Sequence, residues 1–205
     1  MAGFDWQESR RAYAEAVGWF QDTIVEVGER WDEPGLGEWD VRALVGHTSR
    51  ALLTVEAYLA TPAAAVDVES AVDYYLATNV IGAGSGVAQR GRDAGRALGS
   101  DPVAAVAEIA ARVLPLVDGL TGEELPTTIA GGMRLSDYLP TRIVELTVHT
   151  ADLATALGLA VEPPERPAAL TLRLLSDLAV AEGRAGPLIL AATGRGGLPS
   201  GYTVL

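Results

Sequence analysis

Five polar side chains, Tyr138, Arg142, Glu145, His149 and Asp152, recur at spacings of four, three, four and three between Ser136 and Gly158. At about 100° per residue they stack along one line of a helix. Leu139, Ile143, Leu146, Leu153 and Leu157 cluster on one face of that helix, and Val144, Val148 and Ala151 lie on roughly the opposite face. A helix that is apolar on two faces is buried on more than one side. The polar line then points into a cleft rather than out to water. Ionisable groups in such a place are costly unless they are paired or bind a cation. This segment therefore requires other helices on both its apolar faces and a partner for its polar line.

The rest of the chain supplies helices. Trp6, Tyr13, Val17, Phe20, Ile24, Val27 and Trp31 give a helical period from about Phe4 to Trp31, broken by Asp32–Gly37. Asp40 reads as the N-cap of a second helix running to about Ala60, with Thr61-Pro62 ending it. Asp67 to Leu98 is helical in period but interrupted at Ile81–Gly86, which predicts a kink or two shorter helices. Asp101-Pro102 is a cap followed by a first-turn proline and opens a helix to about Val117. Gly119 to Arg134 is turn-rich, with a short extended pair around Thr127 to Met133. Gly158 closes the striped helix, a shorter helix spans about Ala168 to Glu182, and Pro187 to Leu205 reads as an apolar run with a glycine-rich end. Long amphipathic helices with little strand signal predict an all-α bundle.

Composition narrows the partners. The 27 acidic residues outweigh 15 basic ones, all of them arginine, for a formal charge of −12. That balance argues against nucleic acid and against an anionic membrane surface. No stretch is long and apolar enough to span a bilayer, and no targeting segment is visible, so the expected location is cytoplasmic. With no cysteine, thiolate metal sites and a protein-borne thiol nucleophile are excluded. The Gly82–Gly86 run lacks the preceding strand and the lysine of a phosphate loop.

Glu145 and His149, four apart, can share a metal ion. The chain's only other histidine, His47, lies about 120° from the centre of its helix's apolar stripe, where a side chain can reach a neighbouring helix. Two imidazoles and one carboxylate form a catalytic zinc set that leaves the fourth position to water, although iron(II), manganese and nickel accept the same ligands. Asp152 could orient His149 or a metal-bound water, or be an ordinary pairing acid. Arg142 could hold a substrate or thiol carboxylate, or form a salt bridge to Glu145 or Asp152. Tyr138 reads as packing with a wet hydroxyl, Trp39 as an anchor at the helix start, and Arg90, Arg92 and Arg96 as a solvated basic face, with anion binding as the other reading.

Two segments carry a family resemblance. Trp39-Asp40-Val41-Arg42-Ala43-Leu44-Val45-Gly46-His47 resembles the W-x-V-R-x-L-x-x-H signature of mycothiol-dependent maleylpyruvate isomerases, which are DinB-like metal-binding four-helix bundles. Arg142 to Leu153 resembles their second signature, R-x-x-E-x-x-x-H-x-x-D-L, and the end of the chain from Ala192 to Leu205 is similar to shorter members. The resemblance covers about residues 5 to 160. It implies His47, Glu145 and His149 as metal ligands, with zinc expected, and mycothiol as cosubstrate. It implies isomerisation of, or S-transfer to, a small electrophile, with Asp152 and Arg142 as the catalytic candidates. About 40 residues follow Arg166, fewer than the further C-terminal domain of full-length isomerases, so a short form is expected and maleylpyruvate itself is not the expected substrate. The fold expected is a DinB-like bundle over residues 1–160, with an additional C-terminal helix and short tail over 161–205 packed on it. A non-enzymatic metal-stabilised binding protein and a metal-dependent hydrolase are the alternatives, and a homodimer is left open.

Overall fold

The computed structural model describes residues 3–82 and 86–205. Four long helices form a closed ring: α1 (Trp6–Val25), α6 (Leu135–Ala156), α2 (Val41–Leu59) and α5 (Pro102–Asp118), each packed on the next and α5 back on α1. Their inward faces build the core, with Tyr13, Phe20, Ile24, Leu44, Leu52, Leu139 and Ile143 fully buried. Outside the ring, α3 (Ala71–Gly82) covers α6, α4 (Gly86–Ala97) covers α2, and α7 (Glu165–Ala181) packs on both α1 and α6. The protein is therefore an all-α bundle in which α6 has neighbours on several sides. That is the burial its two apolar faces require. No helix among the described residues is long and apolar enough to cross a membrane.

The helix starts follow local chemistry. The Asp40 carboxylate accepts from the Ala43 amide at 2.7 Å, and Asp101 accepts from the Ala104 amide at 3.0 Å. Each satisfies a backbone N–H that the first turn leaves free. The first helix ends earlier than its periodicity predicts, at Val25. Gly28 adopts a left-handed φ of 58° and hands the chain to a short 3-10 turn at Arg30–Asp32. The Arg30 guanidinium donates to the carbonyls of Val27 and Leu157, tying the end of α1 to the end of α6. Helix α7 begins three residues earlier than expected, because Pro167 sits in its first turn, where no N–H is needed.

Two small antiparallel hairpins join the helices. The first, β1 (Pro34–Leu36) with β2 (Trp39–Asp40), was not anticipated from the breaker residues around it, and it delivers Trp39 to the start of α2. The second, β3 (Thr127–Thr128) with β4 (Gly131–Gly132), is the expected extended pair. The Asp67 carboxylate accepts from the Gly132 amide at 2.7 Å and so pins this hairpin to the chain before α3. The apolar run near the C-terminus is an additional helix, α8 (Ala185–Ala192), with Pro187 in its first turn and leucine, isoleucine and alanine after it. The expected interruption at Ile81–Gly86 separates α3 from α4, and its centre, 83–85, lies outside the described residues.

Candidate metal centre

Helices α2 and α6 pack side by side, and their contact brings three side chains together. His47 Nε2 lies 3.9 Å from Glu145 Oε2, and His149 Nε2 lies 3.5 Å from the same oxygen. One ligand atom from each of the three residues lies within 4.8 Å of the others. The two imidazoles meet edge to face, with ring centroids 4.8 Å apart. Two turns of α6 and one of α2 are enough, because Glu145 and His149 share a face and His47 sits at the edge of the buried stripe of α2.

The surrounding groups hold this cluster in place. Asp152 Oδ2 lies 3.0 Å from His149 Nδ1, which leaves Nε2 turned toward Glu145. The contact fits both readings of Asp152, as an orienting group and as an ordinary pairing acid. The Tyr75 hydroxyl lies 3.1 Å from Glu145 Oε1 and also 3.1 Å from the Thr141 carbonyl. Donation to the carboxylate occupies Oε1 and leaves Oε2 to face the histidines. The Trp39 ring stacks on His47 at 4.5 Å between centroids, and its indole N–H donates to the Ala88 carbonyl at 3.0 Å. Tyr75 escaped sequence reasoning because nothing in the period of α3 ties it to a residue 70 positions later. Trp39 was read as an anchor, and it is also a wall of the site.

The electrostatics match a place for a cation. Burial, reinforced by the charge of His149, pushes the His47 pKa down to about 4. Burial alone would also lower that of His149, but hydrogen bonds to Asp152 and Glu145 outweigh it and hold the imidazole up at about 9. Burial would raise the Glu145 carboxyl, yet the His149 hydrogen bond and the Arg142 charge keep it down at about 2. The cluster thus carries one carboxylate, one imidazolium and one neutral imidazole.

The donor set also fits in size. Ligand atoms at ~2.0–2.1 Å from a tetrahedral zinc are roughly 3.4 Å from one another. The two spacings from Glu145, 3.5 and 3.9 Å, are close to that value, while the three ligand atoms together span up to 4.8 Å, so an ion would draw the two imidazoles closer. His47 Nδ1 is buried without a hydrogen-bond partner among the described residues, so Nε2 is the nitrogen of that ring with polar company.

The remaining expectations fall out differently. Arg142 is buried, but it makes no ion pair with Glu145 or Asp152. Its Nε donates to the Thr141 hydroxyl at 3.0 Å, and its guanidinium lies over the rings of Tyr138 and Tyr74 at 4.9 and 5.5 Å. The Tyr138 hydroxyl is not left to water; it bonds Thr54 Oγ1 at 3.0 Å. The basic face of α4 divides. Arg96 pairs with Asp93 and Arg92 approaches Glu38 on the surface, whereas Arg90 lines a cavity beside the cluster.

Compared with known proteins, residues 20–154 match the family model described as the mycothiol maleylpyruvate isomerase N-terminal domain. No curated protein and no solved structure gives a significant match.

Proposed function

Since the chain belongs to the mycothiol maleylpyruvate isomerase N-terminal domain family, we propose that it is a metal-dependent enzyme that uses a low-molecular-weight thiol, mycothiol, on a small electrophilic substrate by isomerisation or S-transfer. His47, Glu145 and His149 hold the divalent ion, with zinc the first candidate. The observation that carries this reading is the convergence of one carboxylate and two imidazole nitrogens from α2 and α6 within 4.8 Å of one another. A divalent cation in such a site stabilises a thiolate at neutral pH. The lack of cysteine in the chain agrees with a thiol supplied from solution.

The protein's own residues prepare that chemistry. Asp152 fixes the ring of His149 through Nδ1, so that Nε2 and not Nδ1 faces the centre. Tyr75, whose phenol is held well above its usual pKa by burial and by the Glu145 charge, stays protonated and orients the carboxylate. Trp39 covers the imidazoles and limits the approach of water. Arg142 keeps a permanent positive charge beside the site.

The reading is tested by measuring bound metal in the purified protein, then titrating the cobalt-substituted form with mycothiol and following the visible spectrum. A spectral change that saturates with thiol is expected. A metal-loaded protein that does not respond to thiol refutes thiol use and favours a binding or hydrolytic role. His149→Ala is expected to lose metal uptake, and stoichiometric metal in that variant refutes the ligand assignment.

A further inference from the structure

His47 differs from the other two residues of the cluster in what holds it. His149 has Asp152 at 3.0 Å from its Nδ1, and Glu145 has the Tyr75 hydroxyl at 3.1 Å from its Oε1. His47 Nδ1 is buried with no hydrogen-bond partner among the described residues, and Nε2 stands 3.9 Å from Glu145 Oε2, beyond hydrogen-bond reach. A metal-bound imidazole ordinarily donates its second N–H to a carboxylate, a carbonyl or water, and that bond sets the angle of the ring. His47 has no such acceptor among the described residues. Rotation of an imidazole about its Cβ–Cγ bond is soft, so a ring without a polar tether needs packing to keep Nε2 on the cluster.

Trp39 supplies that packing. Its ring lies against the His47 ring at 4.5 Å between centroids and 33° between planes, and it meets His149 edge-on at 6.4 Å. A stack of this kind fixes the plane of the smaller ring. Trp39 is itself fixed at both ends. Its backbone pairs in the β1–β2 hairpin, directly before the Asp40 cap. Its indole N–H donates to the Ala88 carbonyl of α4 at 3.0 Å. Gly91 of α4 lies so close to the ring that a Cβ there would stand 2.6 Å from Cε2 and Nε1. Gly95, one turn further along α4, meets α2 backbone to backbone, since a Cβ on it would stand 2.7 Å from the Arg42 carbonyl oxygen. Two glycines on one face of α4 therefore seat that helix, one on the indole and one on the helix that carries His47.

We infer that Trp39 is the positioning residue of His47 and that α4, which supplies no ligand, tunes the affinity of the site for its ion through the Gly91–Trp39 contact, an inference that rests on the metal-centre reading for the ion but on the stacking alone for the hold on the ring. The two imidazoles are then supported by unlike means, a carboxylate behind His149 and an indole face against His47. Displacing the indole frees the His47 ring and leaves the backbone of α2 where it is.

The chain has only two histidines, so carbon–proton NMR spectra of the chelator-stripped protein resolve the His47 ring directly. One narrow set of His47 ring signals, shifted upfield by the neighbouring aromatic ring, is expected in the wild type and in Trp39→Phe, and broadened or doubled signals in Trp39→Leu. In chelator competition, zinc is expected to bind Trp39→Leu about ten-fold more weakly than the wild type and Trp39→Phe within about two-fold of it. Gly91→Ala touches no ligand, yet it is expected to weaken zinc by about three-fold or more, because its Cβ pushes the indole off His47. Circular dichroism checks that each variant is folded at the assay temperature. Zinc affinity and ring signals in Trp39→Leu equal to those of the wild type overturn the inference. An equal loss in Trp39→Phe and Trp39→Leu also overturns it, since bulk and not a stacking face would then be what matters. Should Trp39→Leu fail to fold, Gly91→Ala decides, and unchanged zinc affinity there overturns the inference. A wild type that takes up no zinc refutes the metal centre, while the ring signals of the metal-free variants still decide the role of Trp39.

Discussion

Replacing Gly46 by alanine sets two physical rules against each other, and the structure decides the sign. Gly46 lies inside α2, where helix propensity alone makes alanine more stable than glycine by about 1 kcal/mol. A Cβ built there would stand 2.1 Å from the Gly95 nitrogen, 2.4 Å from the Gly95 Cα and 2.6 Å from the Ala94 carbonyl carbon. Carbon contacts are comfortable at ~3.5–4.0 Å, so the shortfall exceeds about 1 Å against backbone that cannot rotate away. Helix α4 must retreat as a unit, which loosens Gly91 from the Trp39 indole and Gly95 from Arg42. Overpacking of this kind costs about 1–3 kcal/mol, and a rigid backbone neighbour places it at the upper end. After the propensity gain the net loss is about 2 kcal/mol, or roughly 4–8 °C in Tm for a domain of this size. Thermal unfolding followed by circular dichroism measures it. Gly18→Ala is the control: it is also inside a helix, but its Cβ would meet nothing within 4 Å, so it is expected to gain the full ~1 kcal/mol. Gly95→Ala, which would meet the Arg42 carbonyl at 2.7 Å, is expected to destabilise as Gly46→Ala does. The double variant should lose less than the sum, because one retreat of α4 serves both. A Gly46→Ala protein as stable as the wild type, or more so, refutes the close α2–α4 crossing.

Two further predictions concern the metal centre. Asp152→Asn is expected to lower zinc affinity about 10–100-fold at pH 10, above the wild-type imidazole's pKa of about 9, as read by chelator competition; equal affinities there would remove the orienting role of Asp152. Zinc uptake by the wild type is expected to strengthen about ten-fold per pH unit from roughly pH 5 to 8. The sign follows from the site: His149 holds a proton below about pH 9, His47 stays neutral down to about pH 4, and binding must displace the one proton in between. An affinity flat across that window contradicts the proton-for-metal exchange.

Local patterns carried much of this protein. The caps at Asp40 and Asp101, the glycine at Gly158 and the three-and-four spacing of α6 are legible because each depends on residues within one or two turns. The burial of α6 was legible too, since apolar residues on two faces have no other stable arrangement. His47 was visible as a candidate because it sits off the centre of its stripe, and the paired signatures pointed to the same residue.

What the linear order concealed lies between elements distant along the chain. The reach of Tyr75 to Glu145 and the stacking of Arg142 on Tyr138 and Tyr74, in place of a salt bridge, are set by how α3 approaches α6. Gly46, Gly91 and Gly95 gave no signal in the sequence, and only the crossing of α2 and α4 shows that it depends on them. Arg50, Arg90 and Arg142 are an unremarkable three among fifteen until three helices turn them toward one cavity. Periodicity tells each helix which face to bury, because that choice is made by its own residues and water. The depth and angle at which two helices meet depend on the side chains of both, and the cavity, the clash and the grouping of charge all follow from that meeting.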